Sequence, residues 1–457
     1  MANFTTDSKL CIDREIHIEQ HDYSDLLLTF DIEGTCKWIA DNKFTKISLQ
    51  FPDELLPAST IIYDELRKRI DADLYVLGDT SYASCCIDTV AAMHVKSDAV
   101  VHYGHTCFSK TNIPVYIVLP KAELNIDKTI KIITENLQTL KDTKVCLLYG
   151  AEFDHCKENL KKLWFQSYPG SYIGYIEKEE HKDRFLGRLL KDATGQIYVV
   201  DVLKDCTCVY IGSRGQTMFN LAISIAAKSW YLLDPEKMKL EHMEEAHWIK
   251  RRRFLVEKCK DADVIGILIC KLAGEQTKDI INRMKQLCRI NGKKSYIVSV
   301  GKPNVAKLAN FPEIDIYTMI ACPENDLYNS REFYKPIVYP YELEVALNSK
   351  RDPYFTTHIT DYDELLTGNR HHCDIDCIKE ITDVSLITGK IRETKVDHRQ
   401  ESTMELDKKQ NWALENIGNN LESRSWKGLE QMLGETEVKK AEAGRKGIPL
   451  HYKNEPN

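Results

Sequence analysis

The residues with most chemical promise in this chain are cysteines placed in loops. One loop reads Gly78-Asp79-Thr80-Ser81-Tyr82-Ala83-Ser84-Cys85-Cys86-Ile87-Asp88. A second reads Val101-His102-Tyr103-Gly104-His105-Thr106-Cys107, and a third Ala321-Cys322-Pro323-Glu324. Three thiolates meeting at one point suit an iron–sulfur cluster, whose irons take cysteine ligands. With three such ligands one iron stays open for a substrate or another ligand. Either Cys85 or Cys86 can supply the first thiol. Zinc held by His102, His105 and Cys107 is a competing reading by residue type, although His102 falls inside a strand pattern. Unrelated loop thiols are the simplest alternative.

Strands must position these loops. Residues 74–77 and 99–102 are short apolar runs that end where the first two loops begin, and residues 87–96 between them have a helical pattern. The unit is therefore β-loop-α-β. Parallel strands joined this way put their carboxyl ends on one sheet edge, where open α/β sheets bind ligands. Cys322 likewise follows an apolar run, 314–320. Strands alternating with helices continue along the chain and predict an α/β fold with mostly parallel sheets. The rhythm of strand, small-residue loop and helix occurs three times. It predicts three related domains, each a mostly parallel four-stranded sheet flanked by helices. Residues 1–24 form a polar lead-in. Residues 25–139 form a first domain with Cys85 and Cys107, 140–234 a second, and 235–345 a third with Cys322. The third is expected to open on a long helix over 235–260. Residues 346–457 read as a polar, partly disordered tail, with segments near 424–449 rich enough in apolar residues and glycine to dock.

Bulk composition narrows the function. The chain has 457 residues, enough for two or three cores, and a net charge of −7 with both signs mixed. That argues against a dedicated nucleic-acid or membrane-surface binder. The first twenty residues lack an apolar segment of the secretory type, and no apolar run is long enough to span a bilayer. Fifteen cysteines in that setting predict reduced thiols and a cytoplasmic protein.

Other constellations carry weaker signals. His371-His372-Cys373-Asp374-Ile375-Asp376-Cys377 has zinc-type ligands, but its position in the polar tail favours a solvated segment. Cys206-Thr207-Cys208 and Cys146 read as core thiols. Lys250-Arg251-Arg252-Arg253 reads as a solvated helix face. Asp53 follows a strand and either reaches the site or caps the next helix. Phosphate loops, nucleophile elbows and the compact three-cysteine run of common radical enzymes are absent.

The three cysteine loops taken together resemble those of the diphthamide biosynthesis protein 1/2 family, the subunits of 2-(3-amino-3-carboxypropyl)histidine synthase. Arg424-Ser425-Trp426-Lys427-Gly428-Leu429 and Gly444-Arg445-Lys446-Gly447-Ile448 are similar to the tail of one branch of that family. The resemblance runs from about residue 24 to 345 and resumes near 424. It implies three related α/β domains around a central 4Fe–4S cluster. The implied reaction is non-standard radical cleavage of S-adenosylmethionine. Its 3-amino-3-carboxypropyl group passes to a histidine of translation elongation factor 2. It also implies a heterodimer of proteins 1 and 2, with electrons from a small iron protein, diphthamide biosynthesis protein 3. Catalytic members carry a middle-domain ligand in a Leu-Gly-Cys context, whereas this chain has Leu186-Gly187-Arg188. A guanidinium cannot replace a thiolate on iron. On the resemblance the ligands are then Cys85, Cys107 and Cys322, with Cys85 preferred over Cys86 because it matches the family's single cysteine there. The subunit is expected to be inactive alone and to support reduction of the partner's cluster. A non-enzymatic scaffold with structural or zinc-bound cysteines is the alternative. No catalytic residue is assigned.

Overall fold

The computed structural model describes residues 29–78, 84–137, 144–179, 181–243, 246–270, 276–301, 303–324, 333–376, 383–389, 391–392, 447–448 and 451–452. The chain divides into Met1–His398 and Arg399–Asn457. In the second unit the described residues form one antiparallel hairpin, Gly447–Ile448 with His451–Tyr452. Of the docking segment expected near 424–449, residues 447–448 are described and the rest, like Cys377, lies outside the described residues.

Among the described residues of the first unit, the strands gather into three main sheets. The first holds β1 (Lys46–Gln50), β2 (Asp73–Val76), β3 (Ala99–Tyr103) and β4 (Val115–Val118), all parallel, in the order β2-β1-β3-β4. The second holds β5 (Val145–Tyr149), β6 (Tyr172–Ile176), β7 (Arg188–Lys191), β8 (Ile197–Tyr198), β9 (Thr207–Ile211), β10 (Ser229–Asp234) and β11 (Lys239–Met243), in the order β11-β10-β9-β5-β6-β7-β8. The third holds β12 (Val264–Ile269), β13 (Lys294–Ser299), β14 (Ile316–Ile320) and β15 (Ile337–Val338), all parallel, in the order β13-β12-β14-β15. The parallel strands of the middle sheet are β6, β5, β9 and β10. Read from its first strand, each sheet thus has the same order, second-first-third-fourth. The shared rhythm of the sequence reappears as this shared order.

The inner strands read as continuous apolar runs because both faces are covered. β3, β5, β9 and β14 are buried at every residue. The helix Thr277–Ile290 shows the other period, burying Thr277, Ile280, Arg283, Met284, Leu287 and Cys288 along one stripe.

The structure differs from the sequence expectation in three places. The middle sheet has seven strands instead of four. β7 runs antiparallel to β6, β8 to β7, and β11 to β10. The expected helix over 235–260 is a hairpin turn, the strand β11 and then the helix Ala246–Asp261. Lys239–Met243 mixes polar with apolar residues, which hid its strand character.

The polar tail also begins later than composition suggests. The helix Pro340–Leu347 is buried along its whole length. After it, Phe355, Tyr362, Leu365 and Leu366 pack against Ile265, Ile267 and Ile280 of the third core. Polar residues here are partnered, not solvated. Arg252, from the supposed solvated face, is 2 % exposed and paired with Glu342, which also meets His358 at 3.1 Å. Arg253 donates to the carbonyl oxygen of Phe355. Glu344 is paired with Arg283 and Arg351. The carbonyls of His371, Cys373 and Asp374 accept from Arg351, Arg283 and Asn348, and these bonds fasten the supposed solvated segment to the helix Thr277–Ile290 and to the residues just after Pro340–Leu347.

Candidate metal centre

β2 and β3 flank β1, and the loops after them carry Cys85-Cys86 and Cys107 to one edge of the first sheet. The Cys107 amide donates to the Cys85 carbonyl at 3.1 Å, which ties the two loops together. Gln50, the last residue of β1, is 1 % exposed. Its Nε2 donates to the Cys86 carbonyl at 2.7 Å, and its Oε1 accepts from the Asp88 amide at 2.9 Å. Asp88 in turn caps the helix Thr89–His94 by accepting from the Ala91 amide.

Cys322 arrives from β14 of the third sheet. Its loop is held by the helix Gln216–Ser224 of the middle sheet. Asn220 donates to the Pro323 carbonyl at 2.5 Å, and Thr217 donates to Glu324 at 2.8 Å. The same Glu324 oxygen lies 3.6 Å from His105 Nε2. Burial works to lower the His105 pKa, but Glu324 more than offsets it and raises it. Glu324 thereby links loops of all three sheets.

Four sulfur atoms meet there. Cys85 Sγ is 3.6 Å from Cys322 Sγ, and Cys107 Sγ is 3.8 Å from Cys86 Sγ. All four lie within 4.8 Å of one another, and every one of these cysteines is buried. The Cys107, Cys322 and Cys86 thiols, together with burial, push the Cys85 thiol well above its ordinary range. Cys107 and Cys86, again with burial, raise Cys322. Ionising such a group in isolation is costly, and a bound metal reverses that logic by deprotonating its thiol ligands outright. The donor set therefore fits an iron–sulfur cluster in type and number, since clusters take up to four cysteines. Thiols in contact sit closer together than cubane ligands do, so loading a cluster requires the loops to part.

The other expectations resolve as follows. The structure brings Cys85, Cys107 and Cys322 together and adds Cys86. His102 is fully buried with Nε2 3.0 Å from the His105 carbonyl, and neither histidine joins the sulfur group. Asp53 is exposed in the first turn of a short helix and makes no side-chain cap. Cys146, Cys206 and Cys208 pack within the middle core.

Leu186-Gly187-Arg188 closes a tight hairpin onto β7. Arg188 is 1 % exposed, and its guanidinium donates to the carbonyls of Leu186 and Tyr149, each at 3.0 Å. Gly187 lies against Phe108, the residue after Cys107, whose carbonyl accepts from Arg184. The middle sheet supplies no thiol, yet it braces the Cys107 loop. The roles of Gln50, Thr217 and Asn220 escape sequence reading because each acts through a backbone or side-chain group far away in the chain.

The model of the family described as "Putative diphthamide synthesis protein" matches residues 51–355, more than half of the chain. The chain belongs to the diphthamide synthesis family. Relatives named 2-(3-amino-3-carboxypropyl)histidine synthase subunit 2 extend the likeness to nearly full length. The Danio rerio protein is 34 % identical, over 99 % of this chain and 97 % of its own. The Xenopus laevis protein is 35 % identical over 99 % of both chains. A crystal structure of Dph2 from Pyrococcus horikoshii with a 4Fe–4S cluster matches with a TM-score of 0.57 at 21 % identity. It covers 75 % of this chain and 95 % of that one. At that identity the match bears on the fold, which the two family members share. Diphthamide synthesis is thus the setting in which the sulfur group is to be read. Among the described residues no helix is long and apolar enough to cross a membrane.

Proposed function

We propose that this chain is the iron–sulfur subunit of a heterodimeric synthase acting in the cytoplasm at the first step of diphthamide formation. The complex transfers the 3-amino-3-carboxypropyl group of S-adenosylmethionine to a histidine of translation elongation factor 2. Diphthamide biosynthesis protein 1 is its catalytic partner, and diphthamide biosynthesis protein 3 is the electron donor. This chain supports reduction of the partner's cluster. The observation that carries the reading is the meeting of buried cysteines from the first and third sheets. Cys85, Cys107 and Cys322 hold a 4Fe–4S cluster, which when bound supplies one-electron transfer. Gln50, Asn220 and Thr217 orient the loops that bear these thiols, and burial of the thiols keeps water from them. The subunit-2 names of relatives matching nearly full length support the assignment of this chain to a synthase with more than one subunit.

The test separates electron supply from chemistry. With Cys107→Ala in this chain, product formation should fall at least tenfold when electrons arrive through the iron protein. It should persist in a single turnover if the partner's cluster is chemically reduced beforehand. Loss of product under both conditions would overturn the division of labour.

One observation favours a second reading. A zinc ion with four sulfur ligands at about 2.3 Å places those sulfurs about 3.8 Å apart, close to the 3.6 and 3.8 Å seen here. On that reading the chain is a scaffold with a structural zinc, and metal content distinguishes the two.

A further inference from the structure

We propose that Ser109 is a positioning residue of the metal centre, whose hydroxyl donates to the Cys107 sulfur and raises the reduction potential of the cluster held there. This inference rests on the cluster reading above and names a residue that tunes it.

Geometry carries it. Ser109 Oγ lies 3.1 Å from Cys107 Sγ. A free thiol and a hydroxyl can exchange the roles of donor and acceptor. A thiolate on iron has no proton to give, so with metal in place the hydroxyl must donate. Side chains two residues apart on extended backbone stand about 6.5 Å from each other. Here they touch because Phe108, between them, has a φ of +52° in the left-handed region and turns the chain back. Both atoms belong to one turn, so the contact travels with Cys107 when the loops part to admit a cluster.

The middle sheet enforces that turn. A bulky residue keeps a left-handed φ only where its surroundings hold it. Phe108 is buried in the core that contains Tyr149, Ile173 and Ile176 of β5 and β6. Gly187 leaves room for its ring, since a Cβ there would sit 2.3 Å from it. Arg184, just ahead of that hairpin, donates to the Phe108 carbonyl at 3.1 Å, and the Phe108 amide donates to Thr106 Oγ1 at 3.3 Å. Leu186-Gly187-Arg188 offers no thiol, yet the segment around it sets how a hydroxyl meets a ligand sulfur of the first sheet.

The chemical consequence concerns electrons. A reduced cluster carries one more negative charge than the oxidised one. A hydroxyl dipole aimed at a ligand sulfur stabilises the more negative state, and hydrogen bonds to the sulfurs are among the factors that set a cluster's potential. Ser109 therefore makes the cluster easier to reduce, which suits a chain that takes electrons from an iron protein.

The experiment uses the full chain, purified anaerobically in complex with a partner whose own cluster cysteines are replaced. The midpoint potential is read by following the electron paramagnetic resonance signal of the reduced cluster as the applied potential is stepped. Ser109→Ala removes one oxygen and should leave about four irons per heterodimer in place, with the midpoint shifted to a more negative value. Ser109→Thr keeps the hydroxyl and should keep the wild-type midpoint. Gly187→Ala, with Ser109 untouched, should shift the midpoint in the same direction, and adding Ser109→Ala to it should give no further shift. A purely structural role for Ser109 would lower the iron content without moving the midpoint of the clusters that remain. That outcome overturns the inference. So does complete loss of iron in Ser109→Ala, a midpoint equal to or above the wild-type value, or a shift that Ser109→Thr shares. The two Ser109 variants decide the matter whether or not Gly187→Ala folds. A wild-type preparation with zinc or no iron instead overturns the cluster reading, and this inference with it, and is recognised by the absence of cluster absorbance before any titration.

Discussion

Gly187 shows how a residue without a functional group bears on the sulfur site. Its φ of +76° lies in the left-handed region, and a Cβ there would sit 2.3 Å from the Phe108 ring. Phe108 follows Cys107 directly and itself has a φ of +52°, a conformation that persists only where the surroundings enforce it. Gly187→Ala should therefore cost about 2–4 kcal/mol from backbone strain and overpacking together. It should also shift the Cys107 loop. Urea unfolding checks the first effect and iron retention the second. Unchanged stability would mean that the hairpin yields freely. Arg188 next to it has the opposite character. Sequence alone shows that it cannot ligate iron, but not that its guanidinium bridges two carbonyls inside the middle sheet.

At the scale of elements, the helix Pro340–Leu347 is the clearest case of structure hidden from composition. Glu342 and Glu344 are fully buried beneath arginines from the helices Ala246–Asp261 and Thr277–Ile290. Burial alone would raise the Glu342 pKa, but Arg252 and His358 outweigh it and hold it at about 2. An unfolded glutamate titrates near 4.3. The folded value is the lower one, so this stabilisation is complete above about pH 4.3 and is lost as the pH falls toward 2. The amount is on the order of 3 kcal/mol. Glu342→Gln should destabilise the protein at neutral pH by about 3–5 kcal/mol by leaving Arg252 uncompensated. It should also flatten the stability profile between pH 4 and pH 2. Denaturant midpoints measured across that range provide the check, and an unchanged acid slope would contradict the assignment. Hydrophobic periodicity treats arginine and glutamate as solvated, so residues from 346 onward read as a tail. The inner strands were legible for the converse reason, because burial on both faces leaves an unbroken apolar run. β11 carries no such run, and residues 239–243 fall inside the helix expected over 235–260.

At the scale of the molecule, the three sheets repeat one strand order, and two of them send cysteines from their carboxyl edges to a common point. That Cys85 and Cys107 could share a crevice was legible from the β-loop-α-β pattern, because parallel connections fix which edge the loops occupy. The arrival of Cys322 beside them was not, since no local rule governs how the first sheet meets the third. Glu324, Thr217 and Asn220 supply that junction. The entry of Cys86 beside Cys85 was equally beyond sequence, because the loop is held by contacts such as that of Gln50, at the end of another strand, with the Cys86 carbonyl. The central claim is that this chain holds its own iron–sulfur cluster. It is tested most directly by anaerobic iron and sulfide analysis, with absorbance and electron paramagnetic resonance. The sample is this chain co-expressed with a partner lacking its own cluster cysteines. The account predicts about four irons and four sulfides per heterodimer, lost in Cys107→Ala and in Cys322→Ala; zinc, or no metal, would contradict it.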